Sequence, residues 1–87
     1  MNLLKVFAIY DVAAGAHVHL FVMSNRGLAI REFTTLANDP NHKICKHAAE
    51  FVLFELGTYD DVKGVIVMHE TKQSLGCALE YKSGASV

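Results

Sequence analysis

Apolar side chains fill both parities of residues 3–12: Leu4, Val6, Ala8, Tyr10 and Val12 on one, and Leu3, Phe7 and Ile9 on much of the other. In a β-favouring run this predicts a strand covered on both faces. The small residues of "AAGA" (13–16) offer a reversal. "HVHLFVM" (17–23) then alternates His17, His19, Phe21 and Met23 against Val18, Leu20 and Val22, which completes an N-terminal hairpin.

The period changes in "SNRGLAIREFTTLANDP" (24–40). Leu28, Ala29, Phe33, Leu36 and Ala37 recur at three- and four-residue spacing behind Ser24 or Asn25 as N-cap, so this is the main helix. Asn38, Asp39 and Pro40 end it, because Pro cannot continue the hydrogen-bond ladder and biases its predecessor out of the helical region. After a loop through "NHKICK", the run from Phe51 reads as the central strand over 51–56. A turn follows over 57–64, tightest at "DVKG", and a return strand over 65–70 makes a second hairpin. "SLGCALEY" (74–81) fits either a helical turn or an edge strand, and 83–87 reads as a frayed tail on a single domain spanning 1–82. The order β-β-α-β-β plus a short C-terminal element predicts an α+β fold, a small antiparallel sheet with one main helix on one face. Apolar side chains are left over on the other face, and for so small a protein a second subunit is the expected cover.

Composition narrows the function classes. With 52% apolar and 20% charged residues the 87-residue chain is globular rather than disordered, and a net charge of −1 provides no overall field for nucleic acid or membrane. No apolar run approaches the ~20 residues that span a bilayer. Cys45 and Cys77 form no CxxC pair and read as free thiols in a reducing cytosol. His17 and His19, two apart on a strand, project to one side where two imidazoles can meet an ion. No third ligand has a zinc-like spacing, so the polar face of a strand is the better reading and no metal or other cofactor is expected. Asp60 and Asp61 read as turn formers rather than paired catalytic acids, and Cys45 beside His47 lacks the remainder of a nucleophile motif. Phosphate loops, HExxH and GxSxG are absent, so an enzyme is not expected.

Charge placement is more informative than its total. Residues 26–47 hold four cations, Arg26, Arg31, Lys43 and Lys46, against two acids, a local +2, while the remainder stands at −3. A helix start and a following loop with this balance can form a modest phosphate-binding patch, joined by His47 when protonated. Tyr10, Phe21 or Tyr59, if exposed near it, can stack on bases.

The series "NRGLAIREFTTLANDPN", then "KHAAEFVLFELGTYDDVKG", with "KVFAIYD" before and "SLGCALEY" after, closely resembles the small nonstructural protein of the gokushovirus-type microviruses, single-stranded DNA phages. The resemblance covers residues 4–81 and departs from the usual pattern at Ala48, where that family commonly has Pro. It implies a nonvirion protein of the infected bacterial cytoplasm, often described as DNA-binding or assigned to single-stranded DNA synthesis. Mapped onto this chain, Arg26, Arg31, Lys43, Lys46 and His47 are the expected contacts to single-stranded DNA, and no catalytic residue carries over. Expected partners are single-stranded DNA and a second copy in a homodimer or larger homo-oligomer. The alternative is a module that docks on a phage or host replication protein through an apolar sheet face.

Overall fold

The computed structural model describes residues 3–82; the tail expected at 83–87 lies outside them. Along the chain run β1 (Leu3–Asp11), β2 (Ala16–Met23), α1 (Arg26–Ala37), α2 (Lys43–Lys46), a 3-10 turn (Ala48–Glu50), β3 (Phe51–Asp60), β4 (Val65–Cys77) and α3 (Ala78–Tyr81). The four strands form one antiparallel sheet in the order β2-β1-β3-β4. This is the expected α+β architecture with β3 in the centre, joined by two single-turn helices that periodicity is too short to reveal.

Both hairpins turn on the same chemistry. Asp11 Oδ1 accepts from the amides of Ala13 and Ala14, its carbonyl accepts from Gly15, and Gly15 takes φ 66°. Asp60 Oδ1 likewise accepts from Val62 and Lys63, its carbonyl from Gly64, and Gly64 takes φ 67°. An Asp-x-x-x-Gly spacing thus closes each hairpin: the carboxylate holds the loop amides and Gly supplies the left-handed residue. This assigns Asp60 to turn formation, as the sequence implied.

Asn25 caps α1, its Oδ1 accepting from the Leu28 amide at 3.0 Å, and the helix stops at Ala37 before Asn38. Ala29, Phe33 and Ala37 face the sheet, where Phe7, Ile9 and Leu53 meet them, and Ile44, Ala48 and Ala78 close the ends of this core. Small residues on α1 let the helix lie close to the sheet, and Phe33 fills the space between. Cys45 is buried on α2, so it is part of the packing and offers no accessible thiol beside the exposed His47.

Two expectations need correcting. The second hairpin is longer than its pattern implied: β3 runs through Gly57 to Asp60, the turn is confined to 61–64, and β4 continues past 70 to Cys77. Gly57 reads as a breaker, but here it is a close-approach residue. A Cβ on it would run into the Val67 carbonyl oxygen and stand 2.9 Å from Met68 Cα, beside a bulge where the register shifts by three residues: Gly57 pairs with Met68 but Glu55 with Gln73. The polar run 71–73 is tolerated because it lies on an edge strand facing water. "SLGCALEY" is both of its alternatives in sequence, strand to Cys77 and helix from Ala78. Glu80 Oε2 accepts from the Cys77 amide at 2.7 Å, and the Tyr81 hydroxyl donates to the Leu75 carbonyl.

The second correction concerns His17 and His19. A bulge opposite Ala8 shifts the β1–β2 register between Phe7 and Ile9, and His19 sits at φ 48°, left-handed for a non-glycine residue. The two imidazoles are thereby sent apart: His17 packs against Tyr10, while His19 lies 6.1 Å from the His42 ring. Among the described residues no group of three or more His, Cys, Asp or Glu side chains can hold a metal ion.

Replacing Gly57 with Ala forces the β3 and β4 backbones apart. A loss of about 1–3 kcal/mol is expected, read as a lower urea midpoint at unchanged slope.

Candidate nucleic-acid interface

The five cations named from the sequence occupy the helix layer, and they do not form one cluster. Arg26 opens α1 but its guanidinium is engaged: Nε donates to Glu55 Oε1 at 2.9 Å, and the second nitrogen donates to Gln73 Oε1 at 2.7 Å. Arg31 is exposed on the same helix, whereas Lys43, Lys46 and His47 are exposed on and after α2, beyond the other end of α1. The twelve residues of α1, about 18 Å at 1.5 Å rise per residue, lie between Arg26 and the segment that carries the α2 cations.

Glu55 explains why Arg26 is unavailable. It is 1% exposed, on the helix-side face of β3, paired with Phe7 in the ladder. Besides Arg26 it receives His69 Nε2 at 2.7 Å, which carries the proton because a carboxylate only accepts, and Lys5 Nζ at 3.6 Å. Burial alone pushes its carboxyl up. The hydrogen bonds from Arg26 and His69, with the charges of Arg26 and Lys5, outweigh that penalty and hold it below the ordinary glutamate value.

The open face of the sheet carries a different arrangement. Ladder partners share a face, so Tyr10 on β1, His17 on β2 and Phe54 on β3 all point away from the helices. Ring centroids lie 4.7 Å apart for Tyr10 and His17, 5.8 Å for His17 and Phe54, and 6.3 Å for Tyr10 and Phe54. From β4 the Lys72 ammonium stands 4.8 Å from the Phe54 centroid and donates to His17 Nε2 at 3.1 Å. Three clustered rings with a cation at their rim can stack planar groups and meet an anion beside them.

Residues 4–81 match the family model described as phage ORF5 protein. The chain belongs to the phage ORF5 protein family. No curated protein matches, and no solved structure matches. The family covers the whole sheet and helix layer, so both the open-face rings and the helix-side cations fall within the matched stretch.

Of the aromatic residues singled out in the sequence, Tyr10 belongs to this cluster. Phe21 instead stacks on Phe7 at 5.6 Å against the core, and Tyr59 is half-buried nearer the far turn. Phe54, His17 and Lys72 were missed as a group. The Asp11 to Gly15 turn already places Tyr10 opposite His17, so half of the cluster was readable from turn chemistry; Lys72 was hidden because its segment did not look like strand. The apolar hollow lined by Ile9, His19, Phe21, Met23, Glu32 and Leu36 lies between β2 and α1 and has no cluster of polar groups aimed into it.

Because the folded Glu55 carboxyl sits below its ordinary value, its contribution is fully present above about pH 4.3 and is lost as pH falls through the folded value. Glu55→Gln should cost about 1.5–3 kcal/mol at neutral pH. It should also flatten the acid limb of a stability curve measured by denaturant titration between pH 7 and pH 3.

Proposed function

We propose that this protein is a nonstructural accessory protein of a single-stranded DNA phage, acting in the cytoplasm of the infected bacterium, and that it binds single-stranded DNA across its open sheet face. The observation that carries this reading is the cluster of Tyr10, His17 and Phe54 with Lys72 at its rim. Unpaired bases expose π-faces that a duplex hides, so stacked side chains on an uncovered sheet select single strands without reading sequence. Lys72, now over Phe54, swings to a phosphate when a base takes its place, and the backbone then tracks along the β4 side. The resemblance to the gokushovirus-type nonstructural protein supports a role in the switch towards single-stranded genome synthesis. The exposed Arg31, Lys43, Lys46 and His47 lie on the helix layer and contribute attraction at longer range.

A second reading, docking on a phage or host replication protein, draws on apolar residues of the same face, where Leu4, Tyr59 and Ile66 line up across three strands. It needs neither the rings nor the cations.

Fluorescence anisotropy of a labelled poly-pyrimidine strand, at two salt concentrations and beside a duplex control, separates these. Binding should prefer the single strand and fall with salt. Tyr10→Ala and Phe54→Ala should each weaken it about 5- to 100-fold, the worth of one stacked base. Arg31→Glu with Lys46→Glu should cost less than either. The opposite order moves the site to the helix layer, and no binding at low salt leaves the docking reading.

A further inference from the structure

Between Glu55 and Gly57 the β3–β4 ladder jumps from Gln73 to Met68, so four residues of β4, 69–72, stand opposite the single Leu56. A bulge normally adds one residue and re-aims a side chain; this one adds three. Carrying the Gly57–Met68 register on without a break sets Glu70 against Glu55 and Lys72 against Leu53. Both of those β3 side chains are buried on the helix side, at 1% and 0% exposure. The unbroken ladder would therefore bury two like charges together and press an ammonium into the core. A shift of three is odd, and an odd shift exchanges the two faces. It puts Gln73 opposite Glu55, returns Glu70 to water and leaves Lys72 on the open face, over the Phe54 ring.

None of the four bulge residues is paired in the β3–β4 register, and ordering such a segment costs about 1–2 kcal/mol per residue. Its two ends are tied through one chain of side chains. His69, its first residue, donates Nε2 to Glu55 Oε2 at 2.7 Å, and Glu55 Oε1 accepts from Arg26 Nε at 2.9 Å. Arg26 then donates its other nitrogen at 2.7 Å to Oε1 of Gln73, the residue after the bulge. Lys72 lies directly before Gln73 and on the opposite face, where its Nζ donates to His17 Nε2 at 3.1 Å and stands 4.8 Å and 5.5 Å from the Phe54 and Tyr10 centroids.

We propose that His69 and Gln73 are positioning residues: clamped on the helix side through Glu55 and Arg26, they hold the bulge in the register that delivers Lys72 to the ring cluster, and so place the phosphate contact of the single-strand site. The phosphate role rests on the DNA reading; the placement of Lys72 does not. Methylenes above an aromatic face are shifted upfield by the ring current, so proton NMR of the free chain reads that placement directly. The Lys72 ε-methylene signals should lie upfield of those of an exposed lysine such as Lys63. Gln73→Ala, at an exposed position, and His69→Ala should each return them to the ordinary position while the core signals of Phe7 and Phe33 stay in place. His69→Gln keeps a donor for Glu55 and should retain most of the shift. Lys72 signals that stay upfield in both alanine variants overturn the proposal, as does a wild-type chain in which they are never upfield.

The DNA arm is the anisotropy titration. Lys72→Met should weaken strand binding about two- to fivefold and reduce the slope of log K against log salt by about 0.7. Gln73→Ala should do the same, and adding it to Lys72→Met should change nothing further, because it acts through Lys72. Additive losses in the double variant overturn the positioning role. A wild-type chain that binds no strand removes the DNA reading and leaves the NMR result to decide the placement of Lys72.

Discussion

A single buried carboxylate sets the arrangement of this molecule. Glu55 leaves water at the centre of the sheet, and an ion of that kind is tolerated only where opposite charge and hydrogen bonds replace its hydration. Its replacements come from three other elements: Lys5 on β1, Arg26 at the start of α1, and His69 on β4. One side chain therefore fixes where the helix begins over the sheet and how far β4 has slid along β3. The three partners keep part of their own surface in water, so they bring charge to the site at small desolvation cost. The cost falls on Glu55 alone.

With the helix pinned at Arg26, its twelve residues reach only part of the sheet. Phe7, Ile9, Phe51 and Leu53 are covered, while the paired ends of β3 and β4 project beyond the layer. An 87-residue chain has too little surface to bury on both sides of a four-stranded sheet. One face stays open, and the long hairpin stays exposed at its edge. Those two surfaces are consequences of the same shortage, and they are the surfaces on which a ligand or a second chain can act.

Much of this architecture was legible in the residues. Asn25 as cap, the stop at Asn38 to Pro40 and the two Asp-x-x-x-Gly turns are local chemistry, decided within a few positions and therefore readable. What was hidden depends on contacts distant in sequence. Gly57 looks like a breaker until the β4 backbone is seen to pass against it. His17 and His19 look like a pair until a bulge opposite Ala8 separates them. Arg26 looks like a free cation until Glu55, 29 residues away, claims it. The same reason governs the candidate site: Tyr10 and His17 are joined by a tight turn, but Phe54 and Lys72 arrive through ladder registers that no periodicity specifies. The strand character of 71–73 was masked by polarity, which on an edge costs nothing.

A chain with net charge −1 gains little from counterion release, which supplies most nonspecific affinity for nucleic acid. Stacking is less sensitive to charge, which is why rings matter more than cations in the proposed site. Two bases at about 1–3 kcal/mol each still fall short of the ~8 kcal/mol that micromolar binding requires, before any ordering cost of the strand is counted. One ring cluster on one chain is therefore a weak site whatever its geometry. A strand that spans several chains changes the arithmetic, because once held at one cluster it meets the next at an effective concentration set by their separation rather than by bulk protein.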